Sequence, residues 1–361
     1  MGPDPRYFSV RTAAGNLQPV RCAGPRPDFI SGRAPVFPLC ATFRHHVLLP
    51  GFPASGVIAL AASRRLFLIL NGKAAQREDV RGAIAAVRER GNHVQVRVTF
   101  EDGDSERYAK EGMRLAREGE IDVIVAGGGD GTLNQVVNAS LVEDSSPKCS
   151  FGLLPLGTAN DFAHGAGLPA ADPWAALALC AEGDATSIDV GEVENRVFVN
   201  LLTGGTGSRI TVETDPAMKK LMGGAAYIFT GIGRLHDLQP CRGEFKADGF
   251  AWKGEFLAMA IGNGRMAGGG IELCPDAKVD DGMLDLMVVP FLSRETLGET
   301  LRTIAQNGLG ELANTVVRAK ADRFEIQCDD ELFVNLDGEP DSGRSFDIRV
   351  RPKALRFHLP E

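Results

Sequence analysis

Apolar and polar positions change rhythm several times along the chain, and each rhythm predicts an element. "LFLIL" (66–70) is an unbroken apolar run closed by Asn71-Gly72, the pattern of a strand buried on both faces. Over 76–90, Val80, Ala83, Ile84 and Val87 recur at helical spacing and Gly91 supplies the stop, which predicts an amphipathic helix. "HVQVRVTF" (93–100) alternates and predicts a second strand. Ser105 stands where it would cap a second helix, with Tyr108, Gly112 and Leu115 on one stripe and Gly119 at its end. "IDVIVA" (121–126) predicts a third strand, followed by a helix with Leu133, Val136 and Val137 inward, and "FGLLPLG" (151–157) a fourth strand. Strand and helix alternating at such short spacing predict a parallel α/β sheet covered on both faces.

From about residue 191 the rhythm shortens. "RVFVNLLTG", "RGEFKA", "GEFLAMAIGNG", "MLDLMVV", "RFEIQC", "ELFVNLDG" and "SFDIRVRP" are short β-type pieces separated by turn residues, with one helical stretch at about 215–238. Many short strands with Gly-rich turns predict an antiparallel sandwich. The expected organisation is an α/β domain over 65–190, a mainly antiparallel β-sandwich domain over 191–345, and a segment 346–361 whose return to the first domain the sequence leaves undecided. Residues 1–64 stand apart: they hold nine of the twenty prolines, seven arginines, no lysine, and only Asp4 and Asp28 as acids. No period runs through them, so they read as a disordered lead, a transit peptide or an over-extended start ahead of Val57.

Composition narrows the function classes. The net charge is −8, and a nucleic-acid binder would usually present a basic face. No apolar run is long enough for a membrane span. The seven cysteines, Cys22, Cys40, Cys149, Cys180, Cys241, Cys274 and Cys328, show no Cys-x-x-Cys pair, which fits a reducing cytoplasm.

Candidate chemistry concentrates in two glycine loops. "AGGGDGT" (126–132) stands at the end of a predicted strand and opens a helix, where free N–H groups and a positive dipole end make an anion site. It matches neither Gly-x-x-x-x-Gly-Lys-[Ser/Thr] nor Gly-x-Gly-x-x-Gly, because Asp130 stands inside it. A carboxylate beside a phosphate is repulsive unless a cation lies between, so Asp130 points to magnesium-bridged polyphosphate; the alternative is a tight strand–helix turn. "LPLGTANDF" (154–162) repeats the arrangement on the next strand, with Gly157, Thr158, Asn160 and Asp161.

"GGGDGTLNQV", "LPLGTANDFA", "LTGGTGSRIT", "GNGRMAGGG", "LCPDAKVDDGML" and "NLDGEP" fall in the order found in the YegS-like lipid kinases, and from Leu66 to Pro360 the chain resembles that branch of the diacylglycerol kinase catalytic family. That family is distantly related to NAD kinases and phosphofructokinases. The resemblance implies ATP and magnesium as cofactors, with Thr99, Gly129, Asp130, Gly131, Thr132, Leu133, Asn134, Gln135 and Thr158 as nucleotide-binding positions. Gln135 departs from the family, which often has glutamate there. The resemblance further implies a separate magnesium or calcium loop in "AKVDDGML", formed by the main-chain carbonyls of Lys278 and Met283 with the Asp281 carboxylate and supported by Asp189. A Gly-turn of carbonyl and carboxylate oxygens suits a hard cation, while an Asp-Gly hairpin is the plain structural reading. Glu339 in "LDGEP" matches the family's proton acceptor.

The expectation is therefore an ATP-dependent kinase phosphorylating a lipid hydroxyl, of diacylglycerol, phosphatidylglycerol or a similar lipid. It would be cytoplasmic and peripheral at the inner membrane surface. The 215–238 stretch, with Lys219, Lys220 and Arg234 beside Met218, Leu221, Ile228 and Phe229, could lie in the interface or pack in the core. The competing expectations are an NAD kinase-type phosphotransferase and a nucleotide-binding protein without catalysis.

Overall fold

The computed structural model describes residues 7–11, 17–21, 63–205, 240–291 and 316–361. The chain forms two units, Met1–Ile58 and Ala59–Glu361. In the first, β1 (Tyr7–Arg11) and β2 (Leu17–Arg21) pair antiparallel, Tyr7 opposite Arg21 and Arg11 opposite Leu17. The stretch in which no period was found thus carries a hairpin. The rest of residues 1–62, and the helical stretch expected at 215–238, lie outside the described residues.

The second unit opens with the predicted alternation: β3 (Arg65–Asn71), α1 (Glu78–Glu89), β4 (His93–Thr99), α2 (Asp104–Arg117), β5 (Val123–Gly128), α3 (Asp130–Glu143) and β6 (Ser150–Pro155). The strands lie parallel in the order β4-β3-β5-β6. Alternate residues of β3 serve opposite faces, as the pleat requires. Phe67 and Ile69 pack with α2 and α3, whereas Leu66, Leu68 and Leu70 pack with α1 and the later α5. The helix stripes are as predicted, with Val80, Ala83, Ile84 and Val87 buried on α1 and Leu133, Val136 and Val137 on α3. Ser105 is not the cap of α2: the N-cap is Gly103, and Asp104 reaches back to accept from the N–H groups of Phe100 and Glu101.

α4 (Asp161–Gly165) and α5 (Pro173–Glu182) follow. The sequence reading did not predict α5, although its start is well signalled. The Asp172 side chain accepts from Trp174 N–H and Ala175 N–H, and Pro173 occupies the first turn.

Beyond β7 (Ala185–Val193) the pairing becomes antiparallel: β8 (Arg196–Phe198), β9 (Leu201–Gly205), β10 (Cys241–Ala247), β11 (Phe250–Gly262), the small β12 (Met266–Ala267) and β13 (Ile271–Glu272), β14 (Leu284–Pro290), β15 (Val317–Ala321), β16 (Arg323–Leu336) and β17 (Glu339–His358). β11 and β16 each pair with β10 along one part and with β9 along another, so the sheet folds over a core that includes Phe245, Phe256, Phe324 and Ile326. Truncating such a buried phenylalanine to alanine costs about 3–5 kcal/mol.

β17 joins the two lobes. Its first half pairs with β16, and its last residues run beside β7 and meet β6 in parallel, Phe357 opposite Phe151. The C-terminal residues therefore extend the parallel sheet at the β6 edge. At the seam the His358 imidazole, 1% exposed, lies 2.9 Å through Nε2 from Ser150 Oγ, and burial holds its pKa down to about 4.

The fold thus favours the neutral ring, while an unfolded histidine protonates near pH 6.5. Stability from this group is complete above about pH 6.5 and is lost as pH falls toward 4, by at most about 3 kcal/mol. Urea unfolding of the His358→Gln variant is expected to lack this increment of pH dependence. Parallel stability–pH curves for variant and parent would exclude the assignment.

Candidate active site

The two glycine loops stand side by side at the carboxyl ends of β5 and β6, where open α/β sheets bind ligands. A Cβ on Gly157 would lie 2.5 Å from Gly129 Cα, so the loops touch backbone to backbone and tolerate no side chain. A Cβ on Gly128 would lie 2.3 Å from Thr132 Oγ1, which places the threonine hydroxyl over the loop. Gly131, in the first turn of α3, faces open space. The N–H groups of this turn have no partner within the helix and are available to an anion.

Asp130 does not stand free among them. Its two oxygens accept from Asp161 N–H (3.1 Å) and Phe162 N–H (2.9 Å), so the first residue of α3 caps the start of α4. Burial pushes its carboxyl above the usual range, against those amides. Asp161 does the same one step on, accepting from Gly269 N–H and from Gly270 N–H (2.8 Å) in the turn between β12 and β13. Asn160, at φ +52°, closes its own loop: Oδ1 accepts from Gly157 N–H and Nδ2 donates to Gly157 O. The carboxylate that suggested a metal-bridged phosphate is, as folded, a brace between the loops. Thr158, expected to contact nucleotide, is exposed on the second loop.

The second lobe reaches the same helix through the hairpin between β16 and β17. Asp337 (φ +50°) and Gly338 (φ +106°) make a two-residue turn of the kind Asp-Gly favours, with Leu336 opposite Glu339. Asp337, read in the sequence only as part of a turn, is an anchor. Its carboxylate accepts from Val199 N–H (2.6 Å), Leu201 N–H (2.8 Å), Asn200 N–H and Asn134 Nδ2 (3.1 Å). Burial pushes this carboxyl up to about 6, opposed by these donors. Asn134 also donates to Val197 O. Two residues before Glu339, the turn is thus fixed to α3. Gln135 Nε2 then donates to Glu339 Oε1 at 3.3 Å.

The residues predicted from the sequence therefore divide. Gly129, Asp130, Gly131, Thr132, Asn134, Gln135, Thr158 and Glu339 are gathered around the start of α3. Leu133 lies in the core, so only its backbone can serve a ligand. Thr99 ends the edge strand β4, separated from β5 by β3. At about 4.8 Å per strand it stands roughly 10 Å from the glycine loop, on the same crevice rim. Asp161 is named by the sequence only as a carboxylate of the second loop and Asp337 only as part of a turn; their bracing roles carry no signal beyond their place inside "GTANDF" and "LDGEP".

The third group stands apart. Asp281 accepts from Met283 N–H (3.1 Å) and its Oδ2 pairs with Lys320 Nζ at 2.8 Å. Asp189 accepts from Gly282 N–H (2.7 Å) and Lys353 N–H (2.7 Å), tying this loop to β17. Lys278 lines a cavity of about 230 Å³, with Phe162, Asn200, Arg265 and Pro360 also in its wall. Among the described residues no three His, Cys, Asp or Glu side chains are grouped to hold a metal ion. With its one predicted carboxylate engaged by an ammonium, the loop as folded does not fit the expected divalent cation.

The diacylglycerol kinase catalytic domain matches residues 65–193, and the YegS C-terminal NAD kinase beta sandwich-like domain matches residues 201–359. A Pseudomonas aeruginosa PAO1 protein named "probable lipid kinase YegS-like" is 46% identical over 82% of this chain and 94% of its own length. The Xanthomonas oryzae MAFF 311018 protein of the same name is 44% identical over 81% and 95%. In fold, a diacylglycerol kinase from Bacillus anthracis Sterne matches with TM-score 0.63 at 22% identity, over 82% of this chain and 97% of that one. Two lobes with paired glycine loops at the sheet's carboxyl edge define a phosphotransferase of the diacylglycerol kinase type. The chain belongs to the YegS-like lipid kinases of that family.

Gly157→Ala is expected to destabilise the protein by about 1–3 kcal/mol, since backbone faces the new methyl and cannot yield cheaply. Gly131→Ala is expected to be neutral or stabilising by up to about 1 kcal/mol, because the space is open and alanine favours the helix. Chemical denaturation of both variants checks this. Equal destabilisation would contradict the contact between the loops.

Proposed function

We propose that the protein transfers the γ-phosphoryl group of ATP to a hydroxyl of a membrane lipid, such as diacylglycerol or phosphatidylglycerol. The observation that carries the reading is the Gln135–Glu339 contact, which sets a carboxylate of the second lobe on the helix that opens at the glycine loop. The nucleotide phosphates lie over Gly129–Thr132, where free main-chain N–H groups meet the dipole end of α3. Thr158 reaches the phosphates from the second loop, and Thr99 meets the nucleoside end on the crevice rim. Magnesium, carried in with ATP as its counter-ion, would neutralise phosphate charge over this loop.

Glu339 takes the proton of the acceptor hydroxyl as its oxygen attacks the γ-phosphorus. The P–O bond to the bridging oxygen breaks, and ADP leaves with the electron pair. The Gln135 amide, donating to the carboxylate, orients it toward the crevice. The lipid headgroup comes to the crevice from the membrane surface, since none of the described helices is long and apolar enough to cross a bilayer. The NAD kinase-like description of the second domain keeps NAD as the competing acceptor.

Glu339→Gln is expected to keep the fold and ATP affinity and to lower kcat by about two to four orders of magnitude. Turnover of lipid at the parental rate, or a loss confined to the KM for ATP, would remove Glu339 from the reaction. Labelled ATP offered with diacylglycerol, phosphatidylglycerol and NAD in parallel tests the acceptor, and label entering NAD alone would select the competing reading.

A further inference from the structure

Lys320 projects from β15 opposite Asp285 of β14, its cross-strand partner in register. Its Nζ stands 2.8 Å from Asp281 Oδ2 and 3.1 Å from Asp285 Oδ2, and it donates to the main-chain oxygen of Asp276 at 3.3 Å. The ammonium thus touches two carboxylates and a carbonyl, a set of oxygens of the kind that binds a hard divalent cation. These side chains are only partly exposed: Lys320 35%, Asp281 25% and Asp285 14%.

Placement alone would not require an ammonium there. Asp281 and Asp285 carry like charges on one loop and strand, and they converge on a single point. Without a cation between them they repel, and Asp285, the more enclosed, could not easily stay ionised. The loop's geometry is also fixed without any ion. Asp189 holds Gly282 N–H and Lys353 N–H, and Asp281 holds Met283 N–H. What the loop needs from a cation is charge, not shape, and a tethered ammonium supplies charge without the strict coordination a metal demands.

We propose that Lys320 is the resident cation of the 276–285 loop, occupying with its ammonium the place of a divalent ion, and that removing it turns Asp281, Asp285 and the Asp276 carbonyl into a calcium- or magnesium-binding site. The proposal is independent of the acceptor and of the reaction. It gives this chain a loop whose order does not depend on metal supply.

Thermal unfolding of the full-length protein, stripped with EDTA and titrated with calcium or magnesium chloride without nucleotide, tests it. The parent is expected to show no shift with either ion. Lys320→Met is expected to melt lower in EDTA and to gain several degrees at millimolar calcium, by mass action on the folded state. Adding Asp281→Asn to Lys320→Met is expected to abolish that gain. A parental protein stabilised by the ions in a manner that Asp281→Asn removes would overturn the proposal, and this arm stands even if Lys320→Met does not fold. A folded Lys320→Met protein with no response to either ion would overturn it too.

Discussion

The Asp337 carboxylate holds the N–H groups of Val199, Asn200 and Leu201 with one hand and the Asn134 amide with the other. Each of those donors would be costly to leave unpaired in a buried junction, and so would the carboxylate itself. The arrangement closes because an Asp-Gly pair can take the left-handed conformation that turns the carboxylate inward. Everything that follows in the hairpin, including where Glu339 points, is set by that joint. The lobes are thus registered by a few hydrogen bonds of defined direction, which an apolar contact could not provide.

A similar logic runs through the crevice. Asp130 ties α3 to α4, and Asp161 ties α4 to the glycine turn between β12 and β13. Two acidic side chains are thereby used up as braces at a place built to meet anions. Their charge is spread onto main-chain amides within the fold itself. Such a site is organised in advance, so little rearrangement is needed when the ligand binds.

The sequence showed the α/β half well because its signals are local. The stripes of α1 and α3 and the apolar runs of β3 and β5 were legible residue by residue. α5 escaped because it is apolar nearly all round and has no period, although Asp172-Pro173 announced it. A hydroxyl at the Ser105 spacing invites a cap reading, but Asp104 satisfies the amides before the helix instead. "RFEIQC" and "ELFVNL" are one strand, β16, interrupted by an irregular register between Gln327 and Leu332 that a turn reading mimics. "SFDIRVRP" was ended at Pro352, yet β17 continues to His358 past a register shift where Lys353 adopts φ +51°. The site residues carried motif signals, but their partners did not. Lys320 meets Asp285 across a strand pairing that no spacing rule reveals, and reaches Asp281 in the loop before it.

β17 has a consequence for how the protein is made. Ser150 and His358, which meet at the seam, are separated by 208 positions in sequence. The strand that completes the parallel sheet emerges from the ribosome only after the whole β lobe. Until then β6 has a bare edge able to pair with a stranger. Contacts of such sequence separation form late and slowly, so the phosphate crevice is finished together with the rest of the fold and not ahead of it. A nascent chain of this design holds no completed first lobe during most of its synthesis, and interruption of translation leaves a fragment fit for a chaperone or a protease.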